Sequence, residues 1–334
     1  MVDLDVDSIL VTESLALDVL DRRIVHALQI DARASFERIG AVLGVSDQTV
    51  ARRYRRLVDH GAVRISAVPV TADGTAQGWF VRLRCAPPQT RTIAQELGAR
   101  DDTRWVMLTS GGTEVVFLLH VEGHRTAPSV RDAVLAALHT TPGILAIEAY
   151  SPLRFFVGHQ VAWQARISAL TAAEISELAG AGSVSAGAHG GRRADDVDRA
   201  IIGVLADDGR ATVARVAGAV GVSESNARRR LDRLRACSLV YFDVVVDERV
   251  LGYEELVLIW MQVPLDQLDE LGRRVATHAP VAMATALSGN YDLLVAAACR
   301  DRDELYDYLT GDLARTIGSA PFRTSPVLEL VKRG

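Results

Sequence analysis

Apolar side chains recur at three- and four-residue intervals at Leu17, Leu20, Ile24 and Leu28, which predicts an amphipathic helix with one buried face. Phe36, Ile39, Val42 and Leu43 predict a second helix over Ser35–Leu43. Gly44 ends it, because glycine tolerates the left-handed backbone of a tight turn. Ser46 is placed to cap a third helix through its hydroxyl. Along that third helix Val50, Tyr54 and Leu57 share one narrow arc, while Gln48, Thr49, Arg52, Arg55 and Arg56 take the opposite one. The pattern then changes period. Val63–Val70 reads as a strand, either a wing or a hinge, and is followed by strand Trp79–Cys85, helix Thr90–Ala99, strands Trp105–Ser110 and Val115–Val121, helix Ser129–Leu138 and strand Leu145–Tyr150.

The whole plan is then repeated. Asp21-Arg22-Arg23-Ile24 is echoed by Asp198-Arg199-Ala200-Ile201, Gly44-Val45-Ser46 by Gly221-Val222-Ser223, and Arg52-Arg53 by Arg229-Arg230, each pair 177 residues apart. A constant offset over this stretch means an ungapped duplicated unit. Further on, Ser110-Gly111-Gly112-Thr113-Glu114 matches Ser288-Gly289-Asn290-Tyr291-Asp292, and Ser151-Pro152 matches Ser325-Pro326. The second copy predicts a strand at Val240–Asp247, then Leu256–Val263, Leu268–His278, Ala282–Ser288, Leu293–Ala298, Arg302–Ile317 and Val327–Val331. The order βαββαβ is the ferredoxin-like arrangement of an antiparallel sheet backed by two helices.

The chain is therefore expected to be α+β, a tandem repeat of a winged helix-turn-helix unit and a ferredoxin-like βαββαβ unit. The expected division is residues 1–70 for an N-terminal tail, the first helix-turn-helix and its hinge strand, and 71–158 for the first sheet domain. A short helix and flexible linker follow at 159–195, then the second helix-turn-helix with its strand at 196–248 and the second sheet domain at 249–334. Thr171-Ala172-Ala173-Glu174 has the form of a capping box for the short helix near Thr171–Leu178, and the Gly-, Ala- and Ser-rich run Ala179–Asp196 has a linker composition.

Composition narrows the function. A net charge of −5 argues against indiscriminate coating of nucleic acid, but nearly all the positive charge is arginine, Lys332 being the only lysine. Cys85, Cys237 and Cys299 lie far apart without metal-ligand spacing, so buried thiols are expected in place of disulfides or a structural zinc. The acidic start Met1–Leu17 has no signal-peptide pattern and no apolar run reaches membrane-spanning length, which predicts a cytoplasmic protein. No nucleophile triad, phosphate-cradling glycine loop or metal cluster is evident, so no catalytic residue, cofactor or metal is assigned.

A helix with an apolar back and an arginine-rich front suits the DNA major groove: arginine grips phosphate or guanine, glutamine and asparagine pair with adenine, and hydroxyls touch either. The DNA-contact set is Ser46, Gln48, Thr49, Arg52, Arg53, Arg55 and Arg56 in the first unit. In the second it is Ser223, Ser225, Asn226, Arg229, Arg230 and Arg233, and Asp232 stands where the first unit has Arg55. The unlike faces predict an imperfect palindrome with unlike half-sites about one DNA turn, or a multiple, apart. In the Ser288-Gly289-Asn290-Tyr291-Asp292 turn, glycine lets the backbone turn tightly with free amides and Asp292 can receive an amino group. A plain hairpin turn explains the same residues.

Taken together, Asp21-Arg22-Arg23-Ile24, Leu28-Gln29-Ile30-Asp31-Ala32-Arg33, Leu43-Gly44-Val45-Ser46, Arg52-Arg53-Tyr54-Arg55-Arg56-Leu57 and the Ser288–Leu294 turn resemble the Lrp/AsnC, or feast/famine, family. The resemblance implies a transcription regulator on double-stranded DNA, controlled in many members by an amino acid held between subunits, and self-associating through its effector-type domains. Because ordinary members carry one copy per chain, this one looks like a fused dimer. It places effector contacts at Ser288, Gly289, Asn290, Tyr291 and Asp292, and at Gly111, Thr113 and Glu114 in the first copy. The first turn lacks the family's aspartate and aromatic residue, and Asn290 replaces its usual acidic residue. Two alternatives stand beside this reading. One is an enzyme like the sirohaem decarboxylases, which resemble the family in fold but would be expected to carry a histidine-rich pocket; Val281–Ala298 contains no histidine and Trp105–Val121 only His120. The other is a metabolite-binding module whose helical units do not bind DNA.

Overall fold

A computed structural model describes residues 17–69, 78–120, 130–158, 167, 169–179, 194–237, 239–247 and 249–333. The acidic start, most of the linker, and the expected element ends Val70, Val121 and Ser129 lie outside the described residues.

The three-helix units arise from repeated start and stop signals. Helix α1 (Val19–Ile30) opens on a reciprocal cap in which the Asp18 and Asp21 carboxylates each accept from the other's amide. This satisfies two of the amides that a helix start leaves without partners. Ser35 caps α2 (Phe36–Leu43), which stops at Gly44 with φ 70°, and Ser46 caps α3 (Asp47–Asp59). In the second copy Asp195 and Asp198 cap α7 (Asp196–Asp207). Thr212 caps α8 (Val213–Val220), Gly221 ends it at φ 74°, and Ser223 caps α9 (Glu224–Ala236).

The strand after each unit is a hinge strand. β1 (Val63–Pro69) and β6 (Val240–Val246) pair antiparallel across the halves, from Val63 opposite Val246 to Pro69 opposite Val240. Val63, Ile65 and Ala67 with Phe242, Val244 and Val246 line one face of this ribbon, and all enter one core shared by both helical units. A reciprocal arginine exchange tightens the join. Arg33 donates to the carbonyls of Gly209 (2.5 Å) and Ala211 (3.0 Å), and Arg210 donates to those of Ala32 (2.7 Å) and Ala34 (2.8 Å). Arg33 also lies over the Phe242 ring, and Arg210 over Phe36 and Tyr54. The two helical units are thus one packed body.

The predicted short helix is α6 (Ala172–Ala179), capped by the Thr171–Glu174 box. It straps the back of the first unit. Ile167, Leu170 and Leu178 are buried there, Glu174 pairs with Arg23, and Arg38 donates to the carbonyls of Glu177 and Leu178 at the helix end.

Both βαββαβ sets form as expected. The first is β2 (Gly78–Cys85), α4 (Pro87–Gly98), β3 (Thr103–Thr109), β4 (Glu114–His120), α5 (Val130–Thr140) and β5 (Ile144–Val157). The second is β7 (Glu255–Met261), α10 (Leu268–Ala276), β8 (Val281–Ser288), β9 (Leu293–Cys299), α11 (Arg302–Tyr308) and β10 (Phe322–Lys332). Here α11 runs through a wide turn, Leu309–Leu313, into α12 (Ala314–Ile317).

Two strands run well past their predicted ends, and this joins the halves. β5 pairs with β2 as far as Tyr150, then continues from Ser151 along β8. β10 pairs with β7 through Pro326, then continues from Val327 along β3. The eight strands therefore close into one barrel in the order β10-β3-β4-β2-β5-β8-β9-β7. The repeated Ser-Pro pairs sit where each strand changes partner. Proline lacks an amide for the ladder, so it reads as a strand end, yet it is tolerated where pairing is interrupted. Helices cover the outside of each sheet, and a fourth core fills the barrel interior.

Candidate nucleic-acid interface and effector turns

The third helices present their predicted faces unequally. Gln48, Arg52 and Arg55 of α3 are exposed, as are Ser225, Arg229 and Asp232 of α9, and Thr49 and Asn226 are half-buried beside them. Ser46 and Ser223 serve as caps, accepting from the amides of Thr49 and Asn226. Arg53 and Arg56 turn back onto α1: both bind Asp21, at 3.1 and 2.5 Å, and Arg53 also binds Asp18. Arg230 and Arg233 repeat this with Asp198 and Asp195. Asp21 and Asp198 are fully buried, so these four arginines are first of all struts that set the third helix against the first. The Arg53 and Arg230 hydrogen bonds hold the Asp18 and Asp195 carboxyls down to about 2. One exposed arginine went unassigned from sequence: Arg228, whose counterpart is Ala51. In a helical projection it borders the apolar arc on the side of Leu231.

The second turn stands against the other half of the chain. Gly289, at φ 135°, packs so closely on the Tyr150 ring that a Cβ would meet it at 2.8 Å. The Ser288 hydroxyl accepts from the Ser151 amide at 3.3 Å. Asp292 accepts from the Val263 amide at 2.9 Å, and the Asn290 carbonyl accepts from Gln262. Tyr291 joins Trp260 and Tyr150 in a three-ring cluster with centroids 5.2–6.2 Å apart. The indole N–H of Trp260 is buried without an acceptor. The structure thus brings Ser288, Gly289, Asn290, Tyr291 and Asp292 together with residues that sequence spacing did not implicate, Tyr150 and Trp260.

The first turn is built differently. Ser110, Gly111 and Gly112 all take left-handed φ values, and Thr113 closes the turn by donating to the Ser110 carbonyl. Glu114 points into the barrel, where Arg82 donates to both its oxygens at 2.6 and 3.2 Å and Ser110 donates at 2.7 Å. Burial pushes the Glu114 carboxyl up, but Arg82 and Ser110 outweigh it and hold the group below the usual range. Arg82 also reaches Glu148, which accepts from the Tyr150 hydroxyl at 2.8 Å, and lies over the Trp260 ring at 5.7 Å. Gly111 is thus exposed on the turn and Thr113 half-buried, while Glu114 is already satisfied from within the chain.

Cys85, Cys237 and Cys299 form no disulfide, and burial pushes the Cys85 thiol up to about 11. Among the described residues no helix is long and apolar enough to cross a membrane, and no group of three or more His, Cys, Asp or Glu side chains is disposed to hold a metal ion.

Paired helical readers over a closed ligand-type barrel define a regulator-like architecture, and comparison with known proteins agrees. The AsnC-type helix-turn-helix domain matches residues 17–58 and again 195–235, and the Lrp/AsnC ligand-binding domain matches residues 256–334. The chain belongs to the Lrp/AsnC family, in a form that carries the family's plan twice. It is 29% identical over 128 residues to the HTH-type transcriptional regulator FL11 of Pyrococcus horikoshii, covering 38% of this chain and 82% of that protein. An uncharacterized HTH-type transcriptional regulator of Pyrococcus furiosus, PF1734, is 27% identical over 139 residues, covering 41% of this chain and 93% of that protein. Among solved structures, the siroheme decarboxylase NirDL in complex with an iron-uroporphyrin III analogue superposes over 95% of this chain and 93% of its own. The TM-score is 0.63 at 13% identity, a likeness of fold.

Proposed function

We propose that the chain is a sequence-specific DNA-binding transcription regulator that reads two unlike half-sites and responds to an amino acid or related small metabolite. The observation that carries the reading is the pair of exposed reading faces, Gln48–Arg52–Arg55 and Ser225–Arg229–Asp232, held in fixed relation by one shared core. Arg55 adds positive charge toward phosphate or guanine, whereas Asp232 accepts from a cytosine amino group and repels phosphate. Ligand response is assigned to the second turn, where a buried indole donor lacks an acceptor and Gly289 keeps its backbone close to the Tyr150 ring. Self-association through the barrel's outer faces belongs to the same reading. The relatives' names support the DNA role.

The test is selection of bound sequences from random DNA by the purified full chain, with and without each L-amino acid. An asymmetric consensus is expected. Arg52→Ala with Arg229→Ala should lower affinity at least about tenfold, the loss of two charge-assisted contacts. Symmetric protection, or affinity indifferent to these substitutions and to salt, would sink the proposal.

The likeness to NirDL supports a second reading, a tetrapyrrole decarboxylase on the same scaffold. Against it, the Arg82–Glu114 pair is packed among apolar side chains such as Val116, Trp260 and Leu294. Incubation of the purified chain with sirohaem and chromatography of the products decides between the two.

A further inference from the structure

The buried polar group in the barrel carries a second kind of information. The β2–β4 register sets Arg82 opposite Val116, and the β7–β9 register sets Trp260 opposite Leu294. Val116 and Leu294 are related by the same repeat spacing as Ser110 and Ser288, so Arg82 and Trp260 are counterparts in the two halves. They also touch each other. Equivalent residues in contact lie beside the pseudo-twofold axis, so a barrel made from two like halves would bring each against its own copy.

The neighbours follow the same rule. Thr113 is the counterpart of Tyr291, and Tyr150 of Thr324, Ser151 and Ser325 fixing the repeat spacing for β5 and β10. The first half thus contributes Arg82, Thr113 and Tyr150 to the seam, and the second contributes Trp260, Tyr291 and Thr324. Here a cation meets an aromatic face. Two first halves would set two buried guanidinium groups together at the axis. They would also strip Glu114 of Arg323, which stands 3.8 Å away and whose counterpart in the first half is Ala149. Two second halves would crowd a second indole into the space that Arg82 now fills. Like-charge burial and overpacking are both strongly unfavourable in a close-packed interior.

We propose that the barrel seam selects unlike halves: Arg82 against Trp260, with Glu114 as its counter-charge, makes the first half of a chain pair with a second half and reject the first half of another copy. A polar group buried among apolar side chains serves specificity of pairing here, a use such groups have elsewhere. The inference rests on the barrel alone and stands whether or not the DNA reading holds.

The experiment uses the full chain carrying Ser110→Cys and Ser151→Cys. By the repeat, Ser151 of one copy would meet Ser110 of another only if two first halves paired, at the spacing by which Ser151 meets Ser288 in the closed chain. That spacing suits a disulfide. Under mild oxidation this variant should give no 110–151 linked dimer, while Ser151→Cys with Ser288→Cys should close within the chain. Adding Arg82→Met and Glu114→Gln, which removes both buried charges at similar volume, should raise the 110–151 linked dimer from background to a major species. Mass spectrometry of the linked peptide distinguishes it from links through the native thiols.

A linked dimer in the otherwise unaltered chain overturns the proposal. So does its absence from the Arg82→Met/Glu114→Gln variant, provided that variant melts cooperatively. If it does not, Trp260→Leu with Ser288→Cys and Ser325→Cys decides instead: relief of crowding should then yield a 288–325 linked dimer, and failure to do so rejects the seam as the selector.

Discussion

Asp21 and Asp198 are fully buried carboxylates, and each receives two arginines from the third helix of its unit. Removing one partner of a buried pair leaves the others uncompensated and costs about 3 kcal/mol or more. Asp21→Ala should therefore lower the Tm of the chain by several degrees and weaken DNA binding only through loss of fold. Arg52→Ala should do the reverse, with stability within about 0.5 kcal/mol of the parent and affinity reduced. Thermal melting and DNA titration on the same two variants separate the roles; equal effects on both would show that the arginines are not divided in this way. The sequence could not make this division. A helical projection of α3 puts Arg52, Arg55 and Arg56 away from Val50 and Leu57. It contains no information on Asp18 and Asp21, which lie more than thirty residues earlier and meet the arginines only once α1 packs.

Individual elements were easier to read than their lengths or partners. The six helices of the two DNA-reading units were legible because caps, glycine stops and apolar spacing all agree locally. β5 and β10 were cut short because Pro152 and Pro326 look like ends, and the continuation exists only through strands of the other half. The strap α6 was legible as a helix from its capping box, but not its site. That site turns on His26, which is buried in α1 and whose Nδ1 accepts from the amides of Ala169 and Leu170, both at 3.2 Å. The ring must be neutral to accept there, and burial holds its pKa below the ordinary 6.5. Its contribution is thus present above pH 6.5 and is lost as the pH falls through the lower folded value. Acidification below pH 6.5, through the lowered folded value, should release the strap while α1–α3 remain folded, and amide exchange at residues 169–179 should quicken as it does. His26→Gln should flatten the dependence. Exchange that does not change with pH would show that the strap is held by its apolar contacts alone.

At the scale of the molecule, the reciprocal Arg33 and Arg210 contacts and the β1–β6 ribbon fix the separation of the two readers. Inserting about five base pairs, half a helical turn, between the half-sites should abolish tight binding, because the second face is turned away from its groove. Arg33→Ala with Arg210→Ala should restore part of the affinity for the altered spacing; gel-shift titration reads both. Undiminished binding of the altered site by the parent chain would show the ribbon to be a loose joint. These arginines stand one repeat spacing of 177 residues apart, which makes them equivalent but does not disclose that each grips the other unit's backbone.

The closed barrel also changes how occupancy depends on dose. When two readers reside on separate subunits, their union is a step governed by mass action, and dilution dissolves the reader before it leaves the DNA. Here β5 and β10 complete that union within a single chain. Formation of the paired reader is independent of concentration, so occupancy of an isolated operator should rise with the first power of the chain's abundance, graded even at a few molecules per cell.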